Sequence, residues 1–158
     1  MEATHPSASA GQYLTFRLSD RAFGVPVSSV REINRMTDIT PVPRTPEFIS
    51  GVMNLRGKIV PVVDLRIKLG LGSQSATRNT CIVVIESESR LMGVIVDAVS
   101  SVIELQASQI EPAPSLGDTE RYRYLIGMGK VEQDLVILLD VAATLSPQEM
   151  EQAQAIAA

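Results

Sequence analysis

Apolar and β-branched runs of five to eight residues, broken by polar turns, fill the chain from Gln12 onward. That pattern predicts strands rather than long helices. Gln12–Leu18 suits a strand with Tyr13, Leu14, Phe16 and Leu18 as its apolar content, and after the turn Ser19-Asp20-Arg21 the return strand is Phe23–Val27. Pro26 cannot donate to a ladder and places that strand at an edge or an end. Ser28–Ile33 reads as a short helix capped by Ser28, with Val30 and Ile33 on one face. The prolines of Thr40–Pro46 require an extended connection. Two apolar runs, Ile49–Met53 and Ile59–Val63, then flank Asn54-Leu55-Arg56-Gly57, which predicts a hairpin with Arg56 at its tip. Gly57 supplies a positive φ and Asn54 tolerates tight turns. Asp64–Leu69 reads as one or two helical turns.

The second half repeats this layout. Gly70–Asn79 is a Gly/Ser/Thr-rich linker, the expected boundary between halves. Thr80–Ile85 and Leu91–Val96 form strands around a polar turn, Ser101–Leu105 a further strand, and Tyr122–Val131 with Leu135–Leu139 a second hairpin ending at Asp140. Ser146, Pro147 and Glu149 open a C-terminal helix over 146–158. Residues 1–11, rich in Ala and Ser, read as a disordered lead.

Laid together, the halves align. Arg21, Gly24, Val27 and Val30 recur 69 positions later as Arg90, Gly93, Val96 and Val99. Gly51, Asp64 and Leu69 recur 76 positions later as Gly127, Asp140 and Leu145. The change of offset requires about seven extra residues in the second copy, expected between Glu111 and Arg123. The chain is therefore mainly β, with two similar small units sharing a core.

Composition removes several function classes. The net charge is −4 and tryptophan is absent, a poor endowment for gripping phosphates or stacking bases. No apolar run reaches the ~20 residues of a membrane span. The first residues lack a basic region followed by an apolar core, so no secretory signal is expected. One cysteine, Cys81, makes no internal disulfide and fits a reducing compartment. A cytoplasmic domain is the expectation.

Candidate chemistry is sparse. The only histidine, His5, sits in the lead, and one His with one Cys provides no metal spacing. Cys81 lies in an apolar strand and reads as packing. Asp64 and Asp140, at equivalent places after their strands, read as N-caps rather than a catalytic pair. Gly127-Met128-Gly129-Lys130 lacks phosphate-loop spacing. No cofactor, metal or catalytic residue is expected, and an enzyme is disfavoured. Val30, Ile33, Val99 and Val102 occupy matched positions and serve either the shared core or a groove for a partner helix. Arg56 is either a solvated turn residue or a recognition residue.

Tyr13–Leu18, Val30-Arg31-Glu32-Ile33, Pro46–Gly57 and Ile59–Arg66, followed by Gly93–Asp97 and Tyr124–Lys130, resemble the CheW family of chemotaxis coupling proteins. The run Asn54-Leu55-Arg56-Gly57-Lys58-Ile59-Val60-Pro61-Val62-Val63-Asp64-Leu65 is the most specific part. The resemblance covers about residues 12–145 and implies one domain of two intertwined SH3-like five-stranded β-barrels. It further implies a non-enzymatic adaptor between the cytoplasmic tips of chemoreceptors and the CheA-type histidine kinase, recruited to membrane-associated arrays. Carried over by motif, Arg56 and Glu32 become polar recognition residues and Val30 and Val99 apolar contacts near the groove. Leu55 and Ile33 join them, while Asn54 and Gly57 hold the turn. Two competing readings are a coupling protein of a twitching or developmental system and a small nucleic-acid-binding barrel.

Overall fold

In a computed structural model, residues 8–72, 75–113 and 123–156 are described. Eleven strands and two helices follow one another along them. Gly11–Leu18 (β1) and Arg21–Pro26 (β2) form the first hairpin, followed by Val30–Arg35 (β3). Ile49–Leu55 (β4), Lys58–Asp64 (β5) and the helical turn Leu65–Lys68 (α1) complete the first copy. The second comprises Cys81–Ser87 (β6), Arg90–Val96 (β7), Ala98–Leu105 (β8), Ile110–Glu111 (β9), Leu125–Val131 (β10) and Asp134–Leu139 (β11), and Pro147–Ile156 (α2) is the last described element.

The strands make two sheets, ordered β8-β1-β2-β11-β10-β9 and β3-β6-β7-β5-β4. Under the repeat, these orders coincide over five strands. Each sheet takes its leading hairpin from one copy and its other strands from the other copy. The copies are thus exchanged rather than laid side by side. Residues 70–79 join α1 to β6 within one sheet's set of elements, so the sheets are not divided there. The chain crosses between them at the 3-10 turn Val27–Ser29 and again at Asp97.

Alternation along the strands explains why both faces are apolar. In β6, Val83 and Ile85 enter a central cluster with Leu14, Phe16 and Leu18 of β1, so this cluster joins the sheets. Ile82 and Val84, on the other face, enter a smaller cluster with Met53, Val60, Val62 and Ile95. Tyr13, Leu105, Ile126, Val136 and Leu138 form its counterpart in the other sheet. Period-two side-chain direction thus feeds three clusters from two sheets. Gly24 and Gly93, a matched pair, face the two smaller clusters, where a Cβ would lie 3.2 Å from Leu138 and 2.9 Å from Ile82 respectively.

Each sheet also closes. Beyond β3 the chain returns so that Thr40 N donates to Val52 O at 2.9 Å and Val52 N to Thr40 O at 3.0 Å. In the other sheet β9, which follows β8, pairs with β10. This closure protects edges and is consistent with the SH3-like barrels that the resemblance implies. Gly51 makes the first closure possible. Its φ is +145°, and a Cβ there would sit 2.1 Å from Thr40 O.

Four expectations are corrected. Ser28–Ile33 is not a helix: Val27–Ser29 makes one 3-10 turn without a side-chain cap, and Val30–Arg35 pairs with β6. Burial against a partner strand overrides the weak local helix signal. Val30 consequently turns inward with Glu32 and Asn34, while Ile33 is exposed with Arg31 and Arg35. Asp140 makes no side-chain cap, unlike Asp64, which accepts from Arg66 N at 3.0 Å. Residues 8–11 of the expected lead are ordered, because Ala8 N donates to Ile126 O at 2.8 Å and β1 starts at Gly11, and residues 1–7 lie outside the described residues. The expected insertion between Glu111 and Arg123 lies mostly outside the described residues, as do Tyr122 and the last two alanines.

Candidate protein-binding site

The β4–β5 hairpin turns through Arg56 and Gly57, at φ +50° and +90°. Two consecutive positive φ values suit the twist of a two-residue hairpin. Asn54 Oδ1 accepts from Gly57 N at 2.7 Å and holds the turn closed. Leu55 sits half-buried against Met53 and its neighbours, anchoring the tip to the smaller cluster. The turn is therefore rigid, and Arg56 leaves it in one direction.

That direction leads to Glu32. Arg56 Nη1 donates to Glu32 Oε1 at 3.1 Å, and Nη2 makes a second, shorter bond to Oε2. Such a bidentate fork fixes orientation as well as charge. It draws the Glu32 carboxyl below its usual range, chiefly through the hydrogen bonds from Arg56. The Arg56 side chain is still 72% exposed against 20% for Glu32. The arginine thus presents a face to solvent while its far end is held.

Val30 and Val99, a matched pair, are half-buried at the rim of the central cluster that joins the sheets. They are core at the back and surface at the front. Ile33, by contrast, is 44% exposed, and the other large exposed apolar residues among the described residues are Ile59 (46%), Val102 (55%) and Leu135 (54%). These four are two repeat-related pairs: Ile33 matches Val102 at the offset of 69, and Ile59 matches Leu135 at 76. Each copy exposes the same two positions, one on its third strand and one at the start of its last strand.

The structure brings together residues that the sequence reading did not connect. Arg66 is only 4% exposed. Its Nε and Nη2 donate to Asp64 Oδ1 and Oδ2 at 2.9 and 2.8 Å, and its Nη1 to Asp97 Oδ1 at 2.7 Å. Asp97 Oδ2 accepts from Ser19 N at 2.6 Å, in the β1–β2 turn of the other sheet. A buried guanidinium thus ties the two sheets where the chain crosses between them. The signal present in the sequence was Asp64-Leu65-Arg66, a carboxylate and a guanidinium two residues apart. A second tie holds α2: Lys68 Nζ donates to Glu149 at 2.7 and 2.8 Å and lies 4.6 Å from the centre of the Phe48 ring. Glu149 also accepts from Ser146 N, and Glu149 N donates to Ser146 Oγ, a reciprocal cap at the helix start.

Among the described residues, no three of His, Cys, Asp and Glu group as metal ligands, and no helix is long and apolar enough to cross a membrane. Ion pairs hold the hairpin tip, the sheet junction and the C-terminal helix, and exposed apolar side chains recur in both copies. Those are the features of a β-sheet interaction module.

The comparisons with known proteins name its family. Residues 12–149 match the CheW-like domain, and the chain belongs to that family. It is 40% identical over 139 residues to the chemotaxis protein CheW of Klebsiella aerogenes, covering 88% of this chain and 84% of that one. It is 33% identical over 136 residues to protein FrzA of Myxococcus xanthus, covering 85% and 84%. The crystal structure of the scaffolding protein TtCheW from Thermoanaerobacter tengcongensis superposes with a TM-score of 0.76 at 34% identity, covering 83% of this chain and 89% of that one.

Proposed function

We propose that this protein is a non-enzymatic chemotaxis adaptor that joins chemoreceptor cytoplasmic tips to a CheA-type histidine kinase. It acts in the cytoplasm and is recruited to membrane-associated receptor arrays. Membership of the CheW-like family supports the adaptor role. The observation that carries a two-partner reading is the repetition of the exposed pair Ile33/Ile59 as Val102/Leu135. Exposed apolar side chains repeated in both copies suit an adaptor that holds two neighbours at once, each weakly, with the array supplying effective concentration.

In this reading the Arg56–Glu32 fork, with Leu55 behind it, presents a fixed polar contact. Val30 and Val99 contribute apolar contacts near the groove between the units. Asn54 and Gly57 hold the turn that aims Arg56. Exposed apolar side chains rimmed by charge fit protein partners better than nucleic acid. The similarity to protein FrzA keeps a twitching-motility or developmental array as the second context for the same mechanism.

The experiment is capture of the kinase's CheW-like regulatory domain and of a receptor signalling fragment by two variants, Ile33→Ser/Ile59→Ser and Val102→Ser/Leu135→Ser. Loss of different partners in the two variants is expected. Undiminished capture of both partners by both folded variants overturns the reading.

A further inference from the structure

The repeat makes the Arg66 tie testable against its own counterpart. Asp64 N donates to Phe48 O at 2.8 Å, and Asp140 N donates to Tyr124 O at 2.8 Å, so the backbone around the two aspartates is the same. Asp64 corresponds to Asp140, and Arg66, two residues on, corresponds to Ala142. Asp97, the second carboxylate on Arg66, corresponds to Ser28. The second copy therefore keeps one carboxylate of the arrangement and has lost the guanidinium.

A cavity of about 230 Å³ stands in its place. That is several times the ~30 Å³ share of one water. It is lined by Ser28, Ser29, Glu86, Ser87, Asp140 and Ala142, among others, and no lysine or arginine lines it. Glu86 is held in an ion pair by Arg31, whereas Asp140 makes no side-chain cap to the turn that follows it. Arg90 and Arg123 line a separate cavity that also reaches Asp140. Pro26, Ile126, Leu139 and Val141 add apolar walls. A carboxylate, hydroxyls and apolar walls match the makeup of an arginine side chain, whose apolar stem carries a planar charged fork.

We propose that this cavity is a docking pocket for an arginine side chain of a partner protein, received as the first copy receives its own Arg66. The arginine's fork meets the Asp140 carboxylate, and its stem lies along the apolar wall. Asp140 thus serves as a specificity residue in the second copy, where its counterpart Asp64 serves stability. The proposal deepens the adaptor reading by naming one chemical group that a partner must supply.

The probe is N-acetylarginine amide, titrated against the isotopically labelled protein, with N-acetylcitrulline amide as the uncharged isostere. Amide shifts at Ser28, Ser87, Asp140 and Ala142 are expected to saturate in the millimolar range, on the order of 1–10 mM. The citrulline probe should bind about tenfold more weakly, because it lacks the charge-assisted fork. Ala142→Arg fills the cavity from within and Asp140→Asn removes the charge, and both should abolish the response. Ala142→Arg should melt no lower than the unmodified protein, and Asp140→Asn serves as the test if it does not fold. In parallel, Ala142→Arg should weaken capture of the kinase domain or the receptor fragment about tenfold. Scattered shifts, equal response to citrulline, or unchanged capture of both partners by Ala142→Arg overturns the proposal. If the unmodified protein captures neither partner, the adaptor reading fails, while the probe titration still decides whether the pocket takes a guanidinium.

Discussion

Arg56 and Glu32 lie 24 residues apart in sequence and are joined by two hydrogen bonds from a hairpin tip to the third strand. The tip charge is not loose, as a turn residue's ordinarily is. It is aimed by a turn with two positive φ values and then anchored by a carboxylate.

Substitutions in this pair test recognition apart from architecture. Arg56→Glu should reduce partner capture about tenfold or more and leave the melting temperature within a few degrees, since exposed pairs contribute little to folding. The exchange Arg56→Glu with Glu32→Arg rebuilds the ion pair in reverse. Recovery of capture by the exchange variant would show that the pair acts only by holding the loop. Continued loss is expected, with Arg56 itself the recognised group.

Breaking the buried tie should act on stability instead. Arg66→Ala leaves Asp64 and Asp97 without their cation between the sheets, at a cost of about 3–5 kcal/mol. Urea unfolding of Arg66→Ala and Asp97→Asn checks this, with the larger loss expected for Arg66→Ala, which orphans two carboxylates.

Gly51 and Gly57 should respond very differently to alanine. At Gly51 a Cβ collides with Thr40 O, so the substitution must break the bridge that closes the sheet, costing about 3 kcal/mol or more. At Gly57 nothing lies within 4 Å and only the positive φ is strained, about 1 kcal/mol. Thermal melts of the two variants distinguish steric from conformational need.

Acid should loosen the C-terminal helix. Burial raises the Glu149 carboxyl, but hydrogen bonds from Lys68 and Ser146 outweigh it, and the net direction is below the ordinary 4.5. A carboxylate lowered on folding stabilises the fold above its unfolded pKa, and that contribution fades as pH falls through the lower folded value. Stability carried by the Lys68–Glu149 tie should thus be full above about pH 5 and lost progressively below pH 4.5. Glu149→Gln should flatten that part of the stability profile, read by thermal melts across the acid range.

How far the sequence disclosed this protein differs by level. Strands were legible wherever β-branched alternation was strong, as in β5 to β7, and the hairpin turn was legible from Asn54 and Gly57. The repeat was legible from a few glycines and valines, but its consequence was not. Strand exchange between copies is a long-range pairing, and side-chain period says nothing about which strand is the neighbour. The helix expected over Ser28–Ile33 failed for the same reason: its local signal was helical, and pairing of Val30–Arg35 with β6 prevailed. In the site, Arg56 and Glu32 could be named from motif, yet their mutual fork could not be seen. Arg66 was overlooked because burial of its charge depends on Asp97, 31 residues away and itself held by the Ser19 turn.

The central claim is that this protein bridges two partners at once. Its most direct test is sedimentation of a CheA-type kinase with receptor signalling fragments, with and without the protein, followed by kinase assay of the pellet. The account predicts that the kinase pellets, and its activity changes, only when this protein is present, and that the doubly substituted Ile33/Ile59 and Val102/Leu135 variants each abolish it. Kinase that pellets equally without the protein, or protein that joins one partner and never both, would contradict it.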